Sequence, residues 1–299
     1  MIAMRDPVKR FAAAIAAAGM VPPEAIVADG KIHRYSSTGT PSDDAGWYVL
    51  HLDGVPAGSF GDWRRGESQN WCAKTECQLT PHEREAMRGR IKDAQRLRAV
   101  ETSRRHGEVA SIALALWEAV VPVVAHPYLT AKGVKPYGVR ADSHQLFVPM
   151  RDTSGKIFSL QTIGPDGTKR FMPGGRVRGC YHSIGRPSGR VLVCEGYATG
   201  ATIHEATDAA VAVAFNAGNL LPVALALRAK YPCLTIIVAA DDDWKTAGNP
   251  GLTAAKHAAR AVGGKVAVPN FGALKRNDKH TDYNDLAQLA GMARIQGEL

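Results

Sequence analysis

Between residues 190 and 270 the chain repeats one pattern: a short, mostly apolar run, then a longer segment rich in alanine and leucine. The runs are "RVLVC" (190–194), "AAVAVA" (209–214), "LTIIVAA" (234–240) and "KVAVP" (265–269). Between them, "ATGATIHEAT" (198–207), "LLPVALALRAKY" (220–231) and "GLTAAKHAARAVGG" (251–264) have the composition of helices. Strands without polar alternation are buried on both faces. Separated by helices, such strands form a parallel sheet covered by its crossovers. Crossovers of one hand put every strand's C-terminal end along one edge, and ligands of open α/β sheets bind beyond that edge. The pattern predicts an α/β fold with a parallel, Rossmann-like central sheet over residues 189–299.

That edge is acidic. Glu195 follows the first run, and Gly196 lets the backbone turn sharply and approach a ligand. The third run ends in Asp241, Asp242 and Asp243. If the strand's alternation continues, Asp241 and Asp243 face Glu195, while Asp242 points away as a solvated spacer. "HTDYNDLA" (280–287) adds Asp282 and Asp285 after the last strand. Carboxylates grouped without cysteine or histidine make a hard-oxygen site, which selects Mg²⁺ or Mn²⁺ over zinc or copper. A cation also removes the repulsion among them, and without it their pKa values rise. Asn216, Gly218 and Asn219 end another strand; they either line the same edge or form a turn and a helix cap.

Upstream the character changes. "HPYLTAKGV" (126–134) reads as a short helix with a glycine stop. "QLFVPMRDTSGKIFSLQTIGPDGTKRFMPGG" (145–175) reads as three strands, with turns at Thr153-Ser154-Gly155 and Pro165-Asp166-Gly167. This makes 121–188 a small mixed α+β subdomain.

Residues 1–120 read as an N-terminal accessory region. Asp6-Pro7 is a cap and first-turn pair for a helix ending at Gly19, which we prefer to a signal peptide because its apolar run is mostly alanine. Residues 31–63 read as a β-meander with a hairpin turn at Asp53-Gly54, and Pro56 is expected to push the second strand to an edge. Trp47, Trp63, Trp71, Arg34, Arg64 and Arg65 form either a nucleic-acid surface or the core of that sheet. From the capping start Thr80-Pro81-His82-Glu83, one long basic helix, or two broken near Gly107, reaches residue 120. Its Arg84, Arg88, Arg90, Lys92, Arg96, Arg98, Arg104 and Arg105 outnumber the interspersed acids, so it is either a solvated face or a phosphate contact.

The chain's net charge is +9, which favours a polyanionic partner such as nucleic acid. Its five cysteines, an odd number, indicate a reducing, cytoplasmic setting. Cys72, Cys77 and His82 lack a fourth ligand, so no structural zinc is expected. No run of 18 apolar residues occurs, so no membrane span is expected.

"VLVCEGYATGATI" followed by "IIVAADDDWKTAGNPG" resembles the Toprim domain, the metal-binding fold of bacterial-type primases, several topoisomerases and some nucleases. "HPYLTAKGV" and "LFVPMRDTSGKIFSLQTIGPDGTKRF" are similar, in that order, to segments of the primase catalytic core, with wording closest to primases of plasmids, phages and other mobile elements. The resemblance covers about residues 126–290. It implies a DNA primase making short primers from nucleoside triphosphates on single-stranded DNA. By the resemblance, Asp241 and Asp243 hold Mg²⁺, and Glu195 is a ligand or the general base. Lys169 and Arg170 match the family's basic segment; Arg151, Lys156 and Lys245 are further candidates for nucleotide or template. The implied partners are single-stranded DNA, nucleoside triphosphates and a separate helicase or polymerase. Two features depart from the family. Thr199 stands where many cellular primases carry an aspartate, and neither a zinc-ribbon cysteine set nor a P-loop is present. A Toprim-type metal-dependent nuclease and a non-catalytic single-strand-binding adaptor are the alternatives.

Overall fold

The computed structural model describes residues 6–41, 43–62, 67–74 and 80–299, leaving aside the side chains of Glu67 and of several residues between 83 and 101. Trp63, Arg64, Arg65 and Cys77 lie outside the described residues. The chain divides into two units, residues 1–99 and 100–299.

In the first unit, helix α1 (Pro7–Ala17) starts at Asp6, whose carboxylate accepts from the Val8 amide. Strands β1 (His33–Tyr35), β2 (Gly46–His51), β3 (Ala57–Asp62) and β4 (Glu67–Cys72) form an antiparallel sheet in that order. β3 therefore pairs on both sides, and the expectation that Pro56 would make it an edge strand is corrected. Pro56 precedes the strand, so its missing N–H costs the ladder nothing. Phe11 and Ile15 of α1 enter the sheet's core, and Phe11 meets Tyr48, Phe60 and Trp71 edge-on. Trp71 thus packs with the core.

Helix α2 (Pro81–Ala119) runs without a break at Gly107. Arg84, Arg88, Lys92 and Arg96 are exposed along it. In the second unit its last turns pack Ala113 and Trp117 against Phe147, Ile157 and Leu160.

The second unit holds two sheets. The first is built from β5 (Val121–Pro122), β6 (Arg140–Ala141), β7 (Leu146–Arg151), β8 (Ile157–Ile163) and β9 (Lys169–Phe171), antiparallel in sequence order. Helix α3 (Pro127–Lys132), between β5 and β6, ends at Gly133 in the left-handed conformation, as the glycine stop predicts.

The second sheet comprises β10 (His182–Ile184), β11 (Arg190–Cys194), β12 (Ala210–Val213), β13 (Thr235–Ala239) and β14 (Lys265–Ala267), in the order β10-β12-β11-β13-β14. The last four are parallel, as the apolar runs predict. β10, from the stretch upstream, adds an antiparallel edge. Helices α4 (Tyr197–Thr207), α5 (Ala217–Lys230) and α6 (Pro250–Ala261) make the crossovers, and α7 (Tyr283–Ala290) and α8 (Met292–Glu298) close the chain.

Period two along the strands divides the core. Leu192 and Cys194 face α4, α7 and the β7–β8 hairpin, while Val191 and Val193 face α5 and α6. Gly200 lets α4 lie tight on the sheet: a Cβ there would come within 2.7 Å of Val213. α4 thus covers one face and α5 the other. This makes the carboxyl end of β11 the point from which successive connections diverge, where a crevice opens in such sheets.

Candidate metal and nucleotide site

The sheet's register brings Glu195 and the aspartate loop to one place. β11 and β13 are parallel neighbours, with Val193 opposite Val238. The chain leaves them at Glu195 and, after Ala240, at Asp241. The Phe215 amide donates to the Glu195 carbonyl at 2.8 Å, continuing the β11–β12 ladder past the strand ends. Phe215 is left-handed there, at φ 74°, a strained conformation for a bulky side chain.

The loop from β14 to α7 supplies the third wall. The Asp242 amide donates to the Thr281 carbonyl at 2.8 Å, which sets Asp282 beside the aspartate loop. Asp282 caps α7 by accepting from the Asp285 amide at 2.8 Å. Its other oxygen accepts from the Thr199 hydroxyl at 2.6 Å. The residue that departs from the cellular-primase pattern therefore orients an acid instead of supplying one. Asp285 closes the capping box: its Oδ2 accepts from the Thr281 and Asp282 amides, and Lys132 stands 3.6 Å from its Oδ1.

These carboxylates are half-buried and repel one another. Burial, then Asp243 and Asp282, push Glu195 up to about 7, against the opposing pull of the Ala217 backbone amide and Lys169. Asp241 is pushed well above the carboxylate range by burial and by Asp282, Glu195 and Asp243. Asp282 is raised by burial and by Asp285. Glu195 Oε1 and Asp241 Oδ1 are buried and accept no hydrogen bond. An unsatisfied buried carboxylate oxygen is costly, and two that act on each other across a sheet edge suit a hard divalent cation. Among the described residues, no three acid, histidine or cysteine side chains converge tightly enough as placed to ligate one ion.

Lys169, at the start of β9, is brought to these acids together with Lys132. Its ammonium lies 5.9 Å from the centre of the Tyr128 ring and close to Gly196. Crowding by protein lowers its pKa, while Asp282 and Asp241 hold it up and Lys132 adds to the lowering. Arg170, its neighbour on the strand, alternates to the other face. Arg151 ends β7 opposite Ile157, which is six residues from Ile163, the partner of Lys169, about 20 Å along an extended chain, and Lys156 lies just before β8. There Arg151 lies over Trp117 and donates to the Gly155 carbonyl, and Lys156 lies over Phe158. Lys245 stays by the aspartate loop, over Trp244 and 3.8 Å from Asp278.

Two expectations change in detail, and one open alternative closes. Asp242 is no solvated spacer: Arg276 donates to its Oδ2 at 2.8 Å and Asn249 to its Oδ1 at 2.7 Å. Gly196 has an ordinary extended backbone, φ −97°, so its use is space instead of a special turn. Asn216 and Asn219 take the structural role: Asn216 caps α5, and buried Asn219 bonds Gly179, Cys180 and Ala214. The sequence reading did not single out Gly251, Asn249 or Arg276. At Gly251 a Cβ would meet the Asp241 carbonyl at 2.7 Å, and its amide donates to Asp243 Oδ2. The Asn249-Pro250 pair is a legible helix start, whereas Arg276 lies in a loop without a pattern.

Residues 190–293 match the family model of the Toprim domain, so the acid-edged sheet is a Toprim domain. Beyond that domain, the sequence is 39% identical over 259 residues to a DNA primase TraC of Escherichia coli, covering 82% of this chain and 24% of the relative. A second Escherichia coli DNA primase TraC is 36% identical over 259 residues, covering 82% of this chain and 18% of the relative. The chain spans about a quarter or less of the length of these relatives. The primase fragment of the bacteriophage T7 primase-helicase protein superposes with a TM-score of 0.44 at 17% identity, over 59% of this chain and 74% of that one. Among the described residues, no helix is long and apolar enough to cross a membrane.

Proposed function

We propose that this chain is a primase of a mobile genetic element. It joins nucleoside triphosphates into short primers on single-stranded DNA, using Mg²⁺ or Mn²⁺. The observation that carries the reading is the pair of buried, unbonded oxygens on Glu195 and Asp241, with Lys169 beside them. Two relatives named DNA primase TraC support it.

Primer synthesis forms a bond between a 3′-hydroxyl oxygen and an α-phosphorus. It breaks the bond from that phosphorus to the bridging oxygen, and pyrophosphate leaves. A bound divalent cation would neutralise the triphosphate and the charge developing on the α-phosphate. Asp241 and Asp243 would hold it, with Glu195 at its edge. Glu195, left ionised once a cation offsets the repulsion from Asp243 and Asp282, would take the hydroxyl proton. Lys169 supplies a point charge to a phosphate oxygen. Thr199 and the capping box fix Asp282 so that its charge stays beside the site. A separate helicase or polymerase would present the template and extend the product.

The test is incubation with single-stranded DNA, four nucleotides and Mg²⁺ or Mn²⁺, followed by product sizing. Wild type makes short oligomers; Glu195→Gln and Asp241→Asn, both folded, make none. Nicking of supercoiled plasmid with metal alone, without oligomers, assigns cutting instead. Strand binding without either product assigns an adaptor.

A further inference from the structure

We infer that Arg276 is a positioning residue for the aspartate loop: by fixing Asp242 on the outer side, it aims Asp241 and Asp243 at Glu195. The inference rests on the reading of those acids as a cation site.

Arg276 comes from the loop between β14 and α7, remote in sequence from the residues it holds. Its guanidinium lies 4.6 Å from the ring centre of Trp244 and 4.6 Å from that of buried Phe271. From there it donates to Asp242 Oδ2 at 2.8 Å. The pair is only 21% and 17% exposed, so it is better shielded from water and salt than a surface ion pair. The second Asp242 oxygen accepts from Asn249 Nδ2 at 2.7 Å, and the Asp242 amide is taken by the Thr281 carbonyl at 2.8 Å.

Every polar group of Asp242 outside its own carbonyl is thereby engaged. Asn249 extends the hold, since its Oδ1 accepts from the Asp243 amide at 2.9 Å. The strand has already ended at Ala239, so no sheet ladder controls this stretch. The Gly251 amide holds Asp243 Oδ2 directly, and the bonds on Asp242 keep the middle carboxylate from competing with Asp241 and Asp243 for the position facing Glu195. Without them, three adjacent carboxylates on a free loop would turn outward to water and separate, because mutual repulsion favours it. Contact with two aromatic rings combined with a directed N–H suits arginine better than lysine. Arg276 also offsets the Asp242 charge, leaving Glu195, Asp241, Asp243 and the neighbouring Asp282 as the carboxylates that attract a cation.

The full chain is tested as wild type, Arg276→Ala, Arg276→Lys, Asp242→Asn, the Arg276→Ala/Asp242→Asn double variant, and Asp241→Asn. Mn²⁺ binding is read from the free-ion paramagnetic resonance signal. Mg²⁺ dependence of primer synthesis and melting in chelator are read alongside. Arg276→Ala and Asp242→Asn should each weaken Mn²⁺ binding by roughly tenfold, as residues behind metal ligands do. The Mg²⁺ needed for half-maximal rate should rise in step, while the rate at saturating Mg²⁺ largely returns. Arg276→Lys should fall between, and the double variant should be no weaker than Arg276→Ala alone. Unchanged Mn²⁺ affinity in Arg276→Ala and Asp242→Asn, with only a lower melting temperature, would make the pair a loop strut and overturn the inference. If Arg276→Ala does not fold, Asp242→Asn decides, because it removes the charge at constant size. Asp241→Asn separates the two readings. If it binds Mn²⁺ as wild type does, the cation site itself is misassigned; if it loses Mn²⁺ while the Arg276 and Asp242 variants keep it, only the positioning role fails.

Discussion

Glu195→Gln should make the metal-free protein more stable while abolishing primer synthesis. Glu195 is held at about 7, against 4.5 for an ordinary glutamate. The difference corresponds to about 3 kcal/mol against the ionised form. Between these two pH values the folded chain keeps a proton that the unfolded chain has lost. Stability from this group is therefore fully present below pH 4.5 and is lost as pH rises through about 7. Glutamine carries no charge to desolvate, though its buried amide left without full hydrogen bonding costs about 1 kcal/mol. The net gain at pH 8 is about 2 kcal/mol, or about 4–8 °C in melting temperature for a unit of this size. At pH 5 it should vanish, because Glu195 is then protonated in the fold. Scanning calorimetry in chelator at several pH values reads the difference. Saturating Mg²⁺ should reverse the order, stabilising wild type and leaving Glu195→Gln behind. A wild-type-minus-variant difference that stays flat from pH 5 to 8 would refute the burial and repulsion assigned to Glu195.

Three further outcomes follow from the same geometry. Gly251→Ala should cost about 1–3 kcal/mol by overpacking and lower primer synthesis, since its Cβ would press on Asp241 and Asp243; chemical denaturation beside product sizing checks both. Asn219→Ala should destabilise by at least about 2 kcal/mol without altering metal affinity in the folded fraction, because it leaves the Gly179 amide and the Cys180 and Ala214 carbonyls unpaired. Lys169→Ala with Arg170→Ala should weaken template binding and lower the salt slope of the binding constant by up to about 0.7 per lost phosphate contact; a salt titration by fluorescence anisotropy reads it, and an unchanged slope excludes both side chains from phosphate contact.

The sequence by itself determined the parallel sheet and its acid edge. Runs such as "RVLVC" and "LTIIVAA" are apolar because both faces of β11 and β13 are covered, and Glu195 and Asp241 announce the place where that cover ends. Local signals also fixed the α1 start at Asp6-Pro7, the Gly133 stop and the β7–β9 turns, because caps and turns depend on residues a few positions apart. What only the tertiary structure decided depends on contacts far apart in the chain. Pro56 precedes an interior strand because β4 supplies the outer partner. Lys169 reaches the acids, while Arg151 and Lys156 lie at the other end of the hairpin, since antiparallel pairing separates residues that sequence places within one segment. Thr199 orients Asp282 across 83 positions. Asp242 looked like a spacer because period-two reasoning points it away from Glu195. It is no spacer because Arg276, 34 positions on, waits there between two aromatic rings, and no local pattern encodes an ion pair that exists only once two loops have been brought together.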